Sequence, residues 1–177
     1  VASIGIAILL RKKYPLQIIF GSVFLFVWAY TEMSQQALLI DALNQIWRPN
    51  YIASNAEEKV IYETLIKAAS GISDSSYFLV IYGFGFGTFL YGLAFLQESR
   101  WVKLLGFSML FIGLLSLASF IRYFLGVTSL SSIVDWCYTW GYPYLQPLVR
   151  IGLGCWIIAK VAELKSDNKL AKELGRN

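Results

Sequence analysis

The sequence predicts an all-α fold, a polytopic transmembrane helical bundle with four full or near-full spans. Of its 177 residues, 57% are hydrophobic and only 15% are charged, whereas about a quarter of the residues in an average soluble domain are charged. Several uncharged apolar stretches are long enough to cross a hydrocarbon core of about 30 Å as helices. Basic residues gather in alternate loops between these stretches, which is the pattern that orients helical membrane proteins.

The apolar stretches divide a single transmembrane domain, residues 1–177, into spans and connecting segments. Residues 1–10 are wholly apolar but too short to span, so we expect the remnant of a truncated N-terminal helix. An outer loop with amphipathic helices is expected at residues 35–74, and a polar cytoplasmic tail at residues 161–177. The predicted membrane spans are residues 14–34, 75–97, 104–122 and 136–160.

Prolines and capping residues predict where some helices begin and end. Arg48-Pro49-Asn50 is expected to break an amphipathic continuation of the first full span. Ser54 and Glu57 have the spacing of a capping box, which predicts a new helix. That helix is expected to pack over the bundle; the alternative is that it lies on the membrane surface. Pro143 is expected to start the last helix and Pro147 to kink it one turn later.

The positive charges predict the orientation of the chain. Ten of the fifteen Lys and Arg residues lie at Arg11 to Lys13, at Arg100 with Lys103, and from Lys160 onward. Placing them on the cytoplasmic side predicts an integral membrane protein with the C-terminus in the cytoplasm and Lys59 outside. The net charge of +4 then reflects topology, and no nucleic-acid partner is expected.

Several kinds of chemistry are excluded by composition. The chain contains no histidine, so a His-ligated haem, a His-based zinc site and a histidine general base are impossible. Cys137 and Cys155 lie about 27 Å apart along one regular helix and cannot pair within it. No nucleophile–base set is recognisable. We therefore expect no catalytic residue, cofactor or metal, and a protein that is not an enzyme.

Four polar residues form a candidate intramembrane site. Arg150 lies ten residues before Lys160, which places it about 15 Å into the membrane, near its middle. A guanidinium at that depth needs a partner, and Glu32 is the nearest acidic candidate in the spans. For Arg150 the alternatives are a structural role, as an interhelical ion pair or bonded to backbone carbonyls, and a substrate site. Glu32 and Arg122 either form an outward-facing cluster with Arg150 or are ordinary interfacial charges that meet lipid headgroups. The complete candidate set is Glu32, Arg122, Gln146 and Arg150.

Two glycines predict close helix packing. Gly83 and Gly87 are four residues apart in an apolar span, a spacing that lets a second helix approach the backbone closely.

The stretches SSYFLVIYGFGFGTFLYGLAF, LLGFSMLFIGLLSLASF and YLQPLVRIGLGCWIIAK, taken in order, resemble a family of bacterial polytopic membrane proteins, the domain-of-unknown-function family four-three-eight-six. The resemblance covers residues 14–160 and rests on the order of apolar spans and a closing Pro-plus-charge-plus-WII pattern. It implies a helical bundle with more spans than this chain has. It implies no activity and no functional residue.

The function expected from these features is that of a small structural or accessory subunit of a larger membrane assembly. Its partners would be the lipid bilayer and other proteins of a membrane complex, or further copies of itself. The alternative is a small carrier, or a lipid- or quinone-like ligand-binding protein, that uses the intramembrane Arg150 and Glu32. A membrane enzyme that uses these charges is a third and weaker hypothesis.

Overall fold

The computed structural model describes residues 2–173; the side-chain surroundings of Arg100 and of residues 167–173 are not described. The described part of the chain is helical with short turns and contains no strand. The helices are α1 (Ala2–Leu10), α2 (Pro15–Ala37), α3 (Arg48–Ala53), α4 (Ala56–Phe95), α5 (Arg100–Phe124), α6 (Ser131–Trp136) and α7 (Tyr142–Glu173). A π-helical segment, Leu38–Trp47, joins α2 to α3, and another, Cys137–Gly141, joins α6 to α7. One 3₁₀ turn, Thr128–Leu130, precedes α6.

Four of the resulting continuous helical stretches are long and apolar enough to cross a membrane. They are Pro15–Ala53, Ala56–Phe95, Trp101–Phe124 and Thr128–Ser166. The prediction of an all-α bundle with four membrane-spanning helices is confirmed. The helix α1 contributes a further apolar turn or two beside them, with Ile6 and Leu10 buried.

The predicted outer loop is a helical hairpin. α4 runs without interruption through the predicted boundary at Ser75, so residues 38–72 form two antiparallel helical arms joined at Ser54 and Asn55; we call them the projecting hairpin. α4 has 40 residues and α5 has 25, so α4 extends about 22 Å beyond the end of α5. The hairpin therefore stands away from the bundle instead of packing over it.

Two predicted helix boundaries at prolines are wrong for the same reason. The helix runs through Pro49 instead of breaking there, and it runs through Pro143 instead of starting there. Each proline lies two residues after a π-helical segment, which ends at Trp47 in one case and at Gly141 in the other. The wider turn moves the carbonyl that the proline ring would otherwise strike. The helices that contain the predicted spans 14–34 and 136–160 therefore continue beyond them, to Ala53 in the first case and back to Thr128 in the second.

The predicted capping box is replaced by a different cap. Asn55, not Ser54, precedes the first turn of α4, and its side-chain oxygen accepts hydrogen bonds from the backbone N–H groups of Glu57 and Glu58. The Ser54 hydroxyl donates instead to the carbonyl of Asn50. Asn and Ser are equally good caps, and here the extended conformation falls on Asn55.

α4 is the central helix and packs along both α2 and α5. A methyl group added at Gly83 would lie 2.8 Å from the Phe24 carbonyl oxygen of α2. A methyl at Gly87 would lie 2.6 Å from a side-chain carbon of Leu25. On the opposite side of α4, a methyl at Gly92 would lie 2.9 Å from the backbone nitrogen of Leu110 in α5. Glycines thus allow both neighbours to approach the backbone of α4.

α7 packs against α5 and α1 rather than along α2 or α4. Near one end it meets α4 through an edge-to-face contact between Phe95 and Trp156, whose ring centroids are 4.8 Å apart. Toward the other end α7 diverges from α2 and α4, and a cleft remains between them. This cleft contains most of the predicted polar site.

Polar contacts join the turns at the end of the bundle that carries Lys13, Lys103 and Lys160, which we call the basic end. Lys13 forms a 2.7 Å ion pair with Glu98, and the Tyr14 hydroxyl donates to the Gln97 carbonyl. Partial burial is the largest single effect and raises the pKa of the Glu98 carboxyl, but the hydrogen bonds from Lys13 and Tyr14, together with the charges of Lys13 and Lys160, bring the net pKa below its ordinary value. The hydrogen bond to Glu98 raises the pKa of Lys13.

Candidate functional site

The cleft between α7 and the α2–α4 pair consists of two adjoining compartments. The polar compartment has a volume of about 310 Å³, and the apolar compartment has a volume of about 440 Å³. Both are lined by Trp28, Phe84, Gln146 and Arg150. Gln146 and Arg150 therefore lie where the polar compartment passes into the apolar one.

α7 and the π-helical segment before it supply one wall of the polar compartment. Tyr138, Tyr142, Gln146 and Arg150 recur every four residues, a spacing that places their side chains on one face of a helix. All four line the polar compartment. This stripe is present in the sequence, but the sequence analysis selected only its last two members. The four-residue spacing that leads back from Arg150 and Gln146 is the signal that could have identified the two tyrosines.

The facing wall combines three helices. α2 contributes Trp28 and Glu32, which are one turn apart, α4 contributes Tyr77, and α5 contributes Ser116. The structure thus brings Glu32, which is half-buried, to the same compartment as Gln146 and Arg150. Sequence analysis did not identify Tyr77 or Ser116, because neither interrupts an apolar pattern as a charge does.

The expected ion pair between Glu32 and Arg150 is not formed. Within the described part of the chain, no carboxylate lies within ion-pair distance of the exposed Arg150, and no cation lies within that distance of Glu32. Helix geometry supplies the reason. Glu32 lies about 25 Å along α2 from Pro15, whereas Arg150 lies only about 15 Å along α7 from Lys160. The two charges face one compartment from different depths.

Arg122 does not belong to the cleft. It forms an ion pair with Asp135 of α6, and neither residue lines the polar or the apolar compartment. The expectation that Arg122 joins Glu32 and Arg150 in one cluster is wrong. The partner was missed because the stretch after Arg122 has no clear helical pattern, and α6 folds back against α5 to bring Asp135 into reach.

The apolar compartment continues toward the basic end. Its wall includes Ile6 of α1, Met109 and Ile112 of α5, and Leu153 of α7. The hydroxyl of Tyr91 also lies at this wall, but it is 2.8 Å from the Ser22 hydroxyl and 3.1 Å from the Ser3 carbonyl oxygen. Since these partners satisfy the hydroxyl internally, the compartment is suited to hydrocarbon rather than to polar groups.

The side chains of the cleft offer a ligand both charges and hydrogen bonds. Among the side chains that the structure describes, no group of three or more His, Cys, Asp or Glu is arranged to hold a metal ion. The polar compartment offers one guanidinium, one carboxylate, an amide and three phenols, which together provide hydrogen-bond donors and acceptors. A ligand that fits both compartments has a polar, charged end and an apolar end.

Comparisons with known proteins add no relative. No protein-family model matches the chain, and neither a curated protein nor a solved structure is detectably similar to it. The resemblance to the domain-of-unknown-function family four-three-eight-six stays a prediction.

Proposed function

We propose that this protein binds an amphiphilic ligand that carries an acidic group, such as a long-chain carboxylate or phosphate. The guanidinium of Arg150 holds the acidic group, and the ligand's hydrocarbon lies in the apolar compartment. This is the lipid-binding alternative raised by the sequence, and it describes a binding protein or carrier rather than an enzyme.

The observation that carries the proposal is the position of Arg150. It lies on the boundary between the two compartments, without a carboxylate in ion-pair contact among the described residues. Its distance from Lys160 along α7, about 15 Å, is the basis on which we infer that it lies half-way across the hydrocarbon layer. A charge at that depth is costly unless it is neutralised or hydrated. An acidic ligand group supplies the missing counter-charge, with planar, two-pronged hydrogen bonding.

The other polar side chains of the compartment indicate where the acidic group of the ligand lies, since Glu32 does not serve as the counter-charge of Arg150. Glu32 faces the polar compartment from a different depth than Arg150, and there it repels a second negative charge and favours a ligand hydroxyl or amine. Gln146 lies one turn from Arg150 on α7 and donates or accepts a hydrogen bond beside it. The ligand is therefore expected to bear its acidic group at the level of Arg150 and not at the level of Glu32.

Photo-crosslinking tests where the ligand lies. The full chain in mild detergent is irradiated with a fatty acid that carries a diazirine in its chain, and the modified residues are mapped by mass spectrometry. Modification is expected at cleft residues such as Phe84 and Leu153, and excess oleate should suppress it while oleyl alcohol should not. Phe107 and Leu114 are 61% and 54% exposed and serve as lipid-facing controls. The proposal is refuted if modification is confined to such residues and does not change when oleate is added.

A role as an accessory subunit is the second candidate, and the projecting hairpin favours it. Ile52, Val60 and Ile61 are 77%, 62% and 61% exposed on its arms, although the hairpin extends beyond the other spans. Apolar side chains clustered away from the lipid are typical of protein contacts. In this hypothesis the hairpin docks on a membrane-protein partner or on a second copy of the chain.

We place the basic end and the C-terminal segment in the cytoplasm, and the projecting hairpin outside. In intact cells, an impermeant thiol reagent is expected to label a cysteine at position 59 and not one at position 103. The background variant lacks both native cysteines, Cys137 and Cys155, which are free in the structure. Labelling at 103 alone would reverse the orientation.

A cysteine at position 61 tests docking by the hairpin. If it reacts equally fast in membranes and in the purified chain, the hairpin does not dock on a partner.

A further inference from the structure

The two charges of the polar compartment are too far apart to be satisfied by a ligand with a single charge. Glu32 is half-buried, and among the described residues no cation lies within ion-pair distance of it. Measured along α2 from Pro15 and along α7 from Lys160, Glu32 lies about 10 Å further from the basic end than Arg150 does. A direct contact between charged groups spans only about 3 Å. A purely acidic ligand at Arg150 therefore leaves Glu32 without a counter-charge.

Aromatic rings surround the space between these two charges. On the side of α7, the ring centroids of Tyr138 and Tyr142 are 5.0 Å apart. On the side of α2 and α4, the ring centroids of Trp28 and Phe84 are 5.3 Å apart. Tyr77 contributes a fifth ring, and all five residues line the polar compartment.

This combination of rings and a carboxylate is suited to an organic cation. The faces of aromatic rings attract ammonium groups, and a quaternary ammonium is held in this way by a cage of several rings. Glu32 adds a full negative charge at the same compartment. A quaternary ammonium has no N–H group, so it needs no hydrogen-bond acceptor from the largely aromatic walls.

The order of the compartments determines the order of the groups in the ligand. The apolar compartment, Arg150 and Glu32 follow one another along the cleft, so the acidic group lies between the hydrocarbon and the cation. A carboxylate ends a chain, whereas a phosphate diester carries a substituent on each side. A phosphate and an ammonium joined by two carbons, with one contact at each end, span about 10 Å, which matches the offset between Arg150 and Glu32.

We propose that the cleft binds a zwitterionic phospholipid of the phosphocholine class. Its phosphate accepts hydrogen bonds from Arg150, and its quaternary ammonium lies between Glu32 and the aromatic rings. This inference rests on the ligand-binding function proposed for the cleft and names the class of its ligand.

Binding of two single-chain lipids by the full chain in a maltoside detergent tests the assignment. Oleoyl lysophosphatidylcholine and oleoyl lysophosphatidylglycerol share the hydrocarbon and the phosphate, but only the first carries a cation. Wild type is expected to bind the choline lipid at least about tenfold more tightly than the glycerol lipid, since only the choline lipid supplies a counter-charge to Glu32.

Glu32→Gln is expected to abolish this preference. It should weaken binding of the choline lipid by about tenfold to hundredfold, as for the loss of a contact to a charged group, and should not weaken binding of the glycerol lipid or of oleate. Glu58→Gln is the matched control, because Glu58 is exposed on the projecting hairpin and lines neither compartment. It should keep the wild-type preference.

Equal affinity of wild type for the two lipids would overturn the inference, even if Glu32→Gln does not fold. Retention of the full preference by a folded Glu32→Gln variant would overturn it as well. Either result leaves the proposed function intact if Arg150→Met still loses oleate binding. If Arg150→Met binds oleate and both lipids as tightly as wild type, the proposed function fails and this inference fails with it.

Discussion

At the scale of residues, the position of Arg150 along its helix could be predicted, but its partner could not. Arg150 and Lys160 lie in one continuous helix, α7, as their spacing predicts, and the membrane depth of Arg150 stays a prediction. Its pairing with Glu32 could not be predicted, because pairing depends on how α7 lies beside its neighbours. α7 packs against α5 and α1, and this leaves Glu32 across a cleft from Arg150 instead of in contact with it.

For Arg122, too, the position in the helix could be predicted but the ion-pair partner could not. The predicted span 104–122 ends at Arg122, and the structure places this residue in the last turn of α5. Its partner, Asp135, lies thirteen residues further along the chain and is reached only through the turn at Gly126. Gly126 has a φ of +68°, a conformation that favours glycine and lets the chain reverse toward α6.

At the scale of elements, the helices differ in how closely they approach one another, and glycine controls the closest approach. α4 is therefore expected to tolerate a methyl group at one glycine and not at another. Gly83→Ala would place a carbon 2.8 Å from a carbonyl oxygen of α2. We expect a loss of about 1–3 kcal/mol of stability from this overpacking, seen as a lower thermal unfolding midpoint in detergent.

Gly71→Ala is the matched control for Gly83→Ala in the same helix. A methyl group at Gly71 would have nothing within 4 Å, so only the higher helix propensity of alanine should act, with a gain of up to about 1 kcal/mol. Equal unfolding midpoints for Gly83→Ala and wild type would show that α2 and α4 do not pack as closely as described.

The two π-helical segments were not predicted from the sequence. Each lies just before a proline, Pro49 or Pro143, and each carries a helix past a residue that normally interrupts it. No residue type marks a wide turn, so the usual proline rules predicted a break and a start. The second segment also carries Tyr138 into the polar compartment.

At the scale of the whole molecule, the bundle could be predicted because long uncharged stretches in this chain have few alternatives to membrane-spanning helices. The cleft could not be predicted, since it arises from the divergence of α7 from α2 and α4 toward the polar compartment. The four-residue spacing of Tyr138, Tyr142, Gln146 and Arg150 would have been enough to predict one wall. The opposite wall comes from three helices whose arrangement is a property of the assembled bundle.

The projecting hairpin and the cleft divide the molecule along its length. The hairpin offers apolar side chains to a protein partner, and the cleft offers Arg150 to an acidic amphiphile. These two surfaces share no residue. Each hypothesis can therefore fail without affecting the other.

The affinity of the full chain for oleate in mild detergent, measured for wild type, Arg150→Met and Arg122→Met, tests the central claim most directly. Arg150→Met should bind oleate about tenfold to hundredfold more weakly, because a hydrogen-bonded charge is lost. Its unfolding midpoint should not fall, since none of the carboxylates that the structure describes is left without an ion-pair partner by this change. Arg122→Met removes a guanidinium outside the cleft and should keep the wild-type affinity. If folded Arg150→Met binds oleate as tightly as wild type, the cleft does not hold an acidic ligand through Arg150.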